Sequence, residues 1–186
     1  MTRVILIHAG PTPWDVANRL TGAQSLPLTP DALASIRSLV NAIANPPTSL
    51  YLHKANEACR EAGRLMAEKF DLRIRDSEAL GEMRLGLWEG LTRDEVRRRF
   101  PTVIPQWQDE PLSVRPPEGE SLGEAIDRVR PAIEKILKRN REGIVALVVR
   151  PLVMQVIHGL LRGETPEAIA KHLNHVDVME TIDVAD

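Results

Sequence analysis

The chain has 186 residues, of which 43% are hydrophobic and 27% charged, and its formal net charge is −2 at neutral pH. This length and composition predict one globular domain over residues 1–186, able to bury most of its apolar surface. The slight negative charge and the low aromatic content, 3% of the chain, argue against a nucleic-acid-binding protein, which is usually basic or rich in stacking side chains. The single cysteine, Cys59, excludes an intramolecular disulfide and a cysteine-based metal site.

The N-terminal sequence Met1-Thr2-Arg3 runs directly into a strand-like segment. It has neither the apolar region nor the cleavage site of a secretory signal. No apolar stretch reaches the roughly 18 residues that a membrane span needs. The prediction is a cytoplasmic protein without membrane contact.

The first part of the chain alternates strand-like and helix-like segments. Val4–Ile7 is a short apolar run, typical of a strand buried on both faces. Thr29 is placed to cap a helix that Pro46 and Pro47 end. The other predicted elements of this part are a strand at Ser49–His53, a helix at Ala55–Phe70 and a strand at Leu72–Arg75.

Residues 77–120 are predicted to be irregular apart from one helix near Thr92–Arg99, and a long ordered loop in a compact domain is usually functional. Ser121 and Glu124 form a capping box that opens an amphipathic helix, in which Pro131 is expected to produce a kink. The remaining predicted elements are a strand at Ile144–Val149, a helix at Pro151–Leu161, a helix starting at Thr165-Pro166-Glu167 and a strand at Met179–Val184. This alternation predicts an α/β three-layer sandwich, with a mostly parallel central sheet and helices on both faces.

Five short motifs follow one another along the chain. They are Gly10 and Thr12 with Trp14-Asp15, Arg19-Leu20-Thr21-Gly22, Pro27-Leu28-Thr29, Glu82 with Gly86-Leu87-Trp88-Glu89-Gly90, and Pro117-Glu118-Gly119-Glu120-Ser121. Their order and spacing, from about Arg3 to Leu161, resemble the histidine phosphatase superfamily, the phosphoglycerate-mutase-like proteins. The resemblance implies the same α/β fold.

The resemblance also implies a mechanism that most of the matching positions do not support. In the family a histidine attacks phosphorus, two arginines and a second histidine hold the phosphoryl oxygens, and a glutamate protonates the leaving oxygen. Here His8 stands for the first arginine and Ala9 for the nucleophile. Glu57 stands for the second arginine and Pro151 for the second histidine, so only the acid, Glu82, is kept. Losing a covalent nucleophile costs roughly 10⁶ in rate, and each lost charged hydrogen bond roughly 1.5–3 kcal/mol.

We therefore predict a catalytically inactive pseudoenzyme with a binding or regulatory role. The alternative is a phosphomonoester phosphatase whose relocated or metal-assisted site uses His8. Successive strand residues point to opposite faces, so a histidine one position early is expected to point away from the cleft. A neutral His8 bonded to a backbone carbonyl is the simpler interpretation.

No cofactor is predicted, and no metal site is assigned. Imidazoles beside carboxylates are nevertheless metal-ligand chemistry. A repurposed metal site therefore stays an alternative at the end of the sheet, where five side chains are expected to gather: His8, His53, Glu57, Glu82 and Asp15.

Arg150 is the one new cation at the altered site. A salt bridge with Glu57 or Glu82 is favoured, because a buried carboxylate needs a partner, and restored anion binding is the alternative. The expected partner is a small anionic ligand or a protein, and because family members often form dimers, the resemblance also implies a homodimer. The tryptophans Trp14, Trp88 and Trp107 are expected to pack loops over the cleft. The predicted ligand-binding residues are Gly10, Asp15, Thr21, Gly22, His53 and Arg150.

Overall fold

The computed structural model describes residues 1–173 and 177–185. Within that part of the chain the strands are β1 (Thr2–His8), β2 (Ser49–Leu52), β3 (Ile74–Asp76), β4 (Ile144–Val149) and β5 (Met179–Val184). The α-helices are α1 (Pro13–Val16), α2 (Pro30–Ala42), α3 (Glu57–Phe70), α4 (Arg93–Arg99), α5 (Val103–Asp109), α6 (Leu122–Arg139), α7 (Pro151–Leu161) and α8 (Pro166–His172).

The five strands form one sheet in the order β3-β2-β4-β1-β5. β4 pairs in parallel with both β1 and β2, β3 is parallel to β2, and β5 is antiparallel to β1. The carboxyl ends of β1, β2 and β4 therefore lie side by side. Ligands of α/β proteins bind outside the carboxyl ends of the strands, so this end of the sheet is where a site is expected.

The side chains of β1 alternate between two buried cores. Ile5 and Ile7 pack on the face covered by α2 and α3, together with Ile36. Val4 and Leu6 pack on the opposite face, among residues of α6 and α7. The predicted three-layer α/β arrangement is confirmed.

Local capping signals place three helix starts as predicted. The Thr29 side chain accepts the Ala32 N–H at the start of α2, and Thr165 caps α8. Ser121 and Glu124 form the capping box of α6. α6 continues through Pro131 as one helix to Arg139.

The segment between β3 and α6 contains more structure than predicted. The expected helix is α4, but α5 and short 3₁₀ turns at Glu78–Leu80, Gly86–Trp88 and Pro111–Ser113 are also present. A buried cluster holds the segment together, comprising Met83, Leu85, Trp88, Val96, Val114 and Ala125. The prediction of an otherwise irregular segment was therefore wrong, because tertiary contacts outweigh weak local signals here.

Several element boundaries also differ from the prediction, among them the starts of β3 and α3. β3 begins at Ile74 instead of Leu72. α3 begins at Glu57 because the side chain of Asn56 accepts the Cys59 N–H, at 3.0 Å, and so acts as the N-cap. No helix in the described part of the chain combines the length and the apolar character needed to cross a membrane.

Candidate functional site at the carboxyl end of the sheet

Ala9 follows β1 directly and is buried in the protein interior. It has no exposed surface, and its N–H donates to the Val149 carbonyl at 2.9 Å. Its side chain belongs to the core that includes Leu28 and Ala32. The position that the sequence motif assigns to a nucleophile is thus a packing position in this chain.

Arg150, which follows β4, is 1% exposed and holds an internal ion pair. Its Nη2 donates to Asp15 Oδ2 at 2.7 Å, and its Nη1 donates to the Gly10 carbonyl. A salt bridge was predicted, but the partner was wrong: it is Asp15 and not Glu57 or Glu82. The partner was unpredictable because 135 positions separate the two residues.

Asp15 is surrounded by donors. Besides Arg150, Oδ2 accepts the Thr12 N–H at 2.7 Å and the Thr12 hydroxyl at 2.7 Å, and Oδ1 accepts the Thr21 hydroxyl at 2.9 Å. Burial by itself would raise the pKa of Asp15, but the Arg150 charge and the hydrogen bonds lower the pKa below its usual value. Asp15 is therefore ionised. Its carboxylate accepts hydrogen bonds that Arg150, Thr12 and Thr21 could otherwise donate to a ligand.

His8 ends β1 next to this ion pair. Burial and the nearby Arg150 charge lower its pKa to about 4, while the Asp15 carboxylate opposes the shift. The imidazole is therefore neutral near pH 7. The prediction that His8 is bonded to a backbone carbonyl was wrong for Nε2. This atom is buried and has no hydrogen-bond partner among the described residues.

Glu82 is 6% exposed. It lies far from α7 in sequence, but its carboxylate caps the first turn of that helix. Its Oε1 accepts the N–H groups of Met83 and Val153, at 2.7 and 2.9 Å, and its Oε2 accepts the Leu152 N–H at 2.9 Å. Burial raises the pKa of Glu82, although these three N–H groups and the Arg150 charge oppose the rise. The retained acid thus has a structural role, because Arg150 at the N-cap position provides no side-chain cap.

The other two polar residues predicted for this end of the sheet take no part in the ion pair. Glu57 is in the first turn of α3, where its N–H donates to the Ser25 hydroxyl. His53 follows β2, packs close to Gly81, and has a buried Nδ1 without a partner in the described part of the chain. Among the described residues, no three His, Cys, Asp or Glu side chains are grouped so as to hold a metal ion.

A cleft of about 650 Å³ opens beside the ion pair. Its lining includes four of the predicted ligand-binding residues, Asp15, Thr21, Gly22 and Arg150. Glu82 and Pro151 also line it, but in the described chain the lining does not include His8 or His53. Gly10 contributes only the carbonyl that Arg150 binds.

Residues 4–181 match the family model of the histidine phosphatase superfamily (branch 1). The chain belongs to this superfamily. Phosphoserine phosphatase 1 of Hydrogenobacter thermophilus is 22% identical over 163 residues, which cover 88% of this chain and 77% of that protein. The 2,3-bisphosphoglycerate-dependent phosphoglycerate mutase 2 of Gloeobacter violaceus is 27% identical over 169 residues, 85% of this chain and 77% of the mutase.

The fold of this histidine phosphatase superfamily member is shared with solved structures. Bacillus stearothermophilus YhfR matches with a TM-score of 0.85 at 23% identity, covering 100% of this chain and 92% of its own. Such a match establishes the architecture, whereas activity depends on the residues at the site.

Sequence reasoning missed the arginines that line the exposed side of the cleft in this superfamily member. Arg19, Arg93 and Arg97 all lie there. The capping box of Thr92 and Glu95 fixes the start of α4 and was a readable signal for that helix. It does not indicate which face of the helix is directed toward a cleft, because that depends on tertiary packing.

Proposed function

We propose that this chain is a histidine-phosphatase-like protein that has lost phosphohistidine catalysis and acts by binding a small anionic ligand or a protein partner at its altered cleft. The observation that carries the proposal is the state of Ala9. This residue stands at the family's nucleophile position, has no exposed surface and packs in the core. A methyl group cannot attack phosphorus, so the covalent step has no nucleophile there.

The charge arrangement supports the same proposal. A phosphoryl group needs cationic donors directed at its oxygens. Arg150 is buried and its charge is neutralised by Asp15 at 2.7 Å. Glu57, at the position of the second arginine, would repel a dianion. The internal carboxylate therefore competes with phosphate for the buried guanidinium of Arg150.

The alternative, hydrolysis through His8, has one observation in its favour. The lowered pKa of about 4 keeps the imidazole in the neutral form that a nucleophile requires. Against it, His8 is not among the described residues that line the cleft.

The decisive experiment is steady-state hydrolysis of p-nitrophenyl phosphate, with and without divalent metal ions. The chain is compared with its His8→Ala variant, and an active phosphatase relative serves as the positive control. We expect no turnover above the variant, because the nucleophile and the anion clamp are both missing. Turnover that requires His8 would overturn the proposal and identify a relocated catalytic group.

Self-association is part of the same proposal, since the resemblance to dimeric family members suggests it. Sedimentation velocity of the purified chain tests it directly. A single monomeric species over the accessible concentration range would remove the homodimer from the proposal.

A further inference from the structure

A smaller apolar pocket of about 90 Å³ adjoins the cleft, and the two together are called the joint site. Leu20, Leu85 and Leu152 line both spaces, as does Arg93. The smaller pocket is completed by the aromatic and aliphatic side chains Trp88, Ile104 and Trp107. A polar cleft joined to an apolar pocket is suited to a ligand with one polar and one apolar part.

The positive charge available to a ligand lies on the exposed side of this joint site. Arg150 is committed to Asp15. Arg19 pairs with Glu95 at 3.3 Å, and Arg97 pairs with Asp94 at 3.4 Å. Arg93 is exposed and, within the described chain, forms no hydrogen bond or ion pair. Its guanidinium, at the junction of the two spaces, is therefore available to a ligand.

Trp88 forms part of the apolar wall of this pocket. It is 3% exposed, yet its indole Nε1 is buried without a hydrogen-bond acceptor among the described residues. A buried donor is normally satisfied, by protein, water or ligand. Trp88 therefore supplies an aromatic wall of the pocket, and its unsatisfied Nε1 lies beneath the surface that a ligand would contact.

We propose that the joint site binds a small amphiphilic organic anion, with its anionic group at Arg93 and an apolar body of about one ring against Trp88, Ile104 and Trp107. This proposal names the class of ligand for the proposed function. It rests on that function in one respect, which is that the ligand is bound and not hydrolysed. It differs from phosphate binding at the end of the sheet, because the anion contacts the exposed arginine and not Arg150.

The test is calorimetric titration with phenylphosphonate, whose carbon–phosphorus bond the phosphatase reaction does not cleave. Methylphosphonate keeps the anion and lacks the ring, and benzyl alcohol keeps the ring and lacks the charge. We expect phenylphosphonate to bind at least roughly tenfold more tightly than either, because ring burial and the charged contact both contribute.

Three variants assign the two contacts. Arg93→Gln is expected to weaken phenylphosphonate binding by roughly five- to tenfold. Arg98→Gln, an exposed residue of the same helix that lines neither space, is the matched control and is expected to bind like the parent chain. Ile104→Ala is expected to weaken phenylphosphonate and leave methylphosphonate unchanged.

Equal binding of methylphosphonate and phenylphosphonate, insensitivity to Arg93→Gln, or no binding of phenylphosphonate at millimolar concentration would each overturn the proposal. Hydrolysis of p-nitrophenyl phosphate is measured separately on the same samples. His8-dependent turnover with Arg93-dependent phenylphosphonate binding would overturn the pseudoenzyme and leave this inference standing. If neither turnover nor phenylphosphonate binding is found, the pseudoenzyme proposal stands and this inference is overturned.

Discussion

Two regions of this chain match the family motifs to different degrees. The loop segments 82–90 and 117–121 keep their motif residues almost completely. At the carboxyl end of β1 and the start of α7 the chain carries His8, Ala9 and Pro151, where the resemblance implies an arginine and two histidines. Under the proposed function, the motif residues of the two loops need an explanation that does not depend on phosphoryl transfer.

The structure provides that explanation for the retained loops. Glu89 accepts the N–H groups of Ala23 and Leu85, both at 3.0 Å. Glu120 is 1% exposed and binds Arg128 at 2.6 Å. The bond of Glu89 to Ala23 joins residues 66 positions apart, and the Arg84 N–H donates to Glu120 Oε1 at 3.1 Å across 36 positions. These motif residues thus hold loops together, whereas the positions that differ are those to which the resemblance assigns a chemical role.

Gly86→Ala should have the largest effect, because a Cβ at this position would lie 2.1 Å from the Pro117 carbonyl oxygen and the residue has a φ of +53°. Relieving the contact requires the two loops to separate. We expect the free energy of unfolding, measured in urea, to fall by about 4 kcal/mol.

Gly163→Ala is the matched control. Gly163 has a φ of +70°, and an added methyl group would have no neighbouring atom within 4 Å, so only backbone strain of about 1 kcal/mol is expected. If the two glycine variants were equally stable, the retained loop would not have the architectural role assigned to it.

Arg128→Met should rank second. It removes the main partner of Glu120, whose side chain is 2% exposed. Among the described residues, the Arg84 side chain, which is 60% exposed, and the Arg84 N–H remain as partners. Loss of the principal charged partner of a buried carboxylate is expected to cost about 3 kcal/mol. Arg130→Met, an exposed position on the same helix, should change the unfolding free energy by no more than about 0.5 kcal/mol. Similar unfolding free energies for the two variants would show that solvent or Arg84 compensates the charge of Glu120 without Arg128.

His8 tests the replaced region through pH. Its folded-state pKa of about 4 lies below the ordinary value, so as the pH falls the unfolded chain takes up this proton first and stability decreases. Between pH 7 and pH 5 the contribution of His8 amounts to about 2 kcal/mol. Asp15, with its lowered pKa, stays ionised in this window.

Unfolding curves of the parent chain and His8→Gln at these two pH values measure this contribution. The variant should lose less stability on acidification than the parent by that amount. Parallel pH dependences would mean that His8 is not held neutral, and the interpretation of this end of the sheet would change.

Pro151→His should have the smallest effect. Pro151 is the first residue of α7, a position whose N–H takes no part in the helix, so restoring the family's histidine should alter stability by less than about 1 kcal/mol. No phosphatase activity is expected to appear, because Ala9 and Glu57 remain. A gain in p-nitrophenyl phosphate turnover would show that the replaced region is closer to competence than its charges indicate.

The sequence predicted the fold well where signals are local. The apolar runs of β1 and β4, the cap at Thr29 and the capping box at Ser121 each act over a few residues, and the structure contains the elements they predict. α5 was missed because Pro105 lies within it and its support is tertiary, including an edge-on contact of Trp107 with Trp88 at 6.4 Å.

The site was less predictable, because its interactions join distant segments. The Arg150–Asp15 pair depends on how two loops meet at the sheet. The capping of α7 by Glu82 could not be read from a motif that suggested an acid. The position of Arg93 beside an apolar pocket likewise depends on the packing of α4 and α5.

The three backbone hydrogen bonds of Glu82 have a consequence for the timescale of motion at this site. Leu152 and Val153 donate their amide protons to a carboxylate on the loop, so these protons exchange with solvent only when that loop detaches from the helix. Loop and helix terminus therefore open as one cooperative unit. Amide exchange at these two positions therefore reports the opening of the cleft wall.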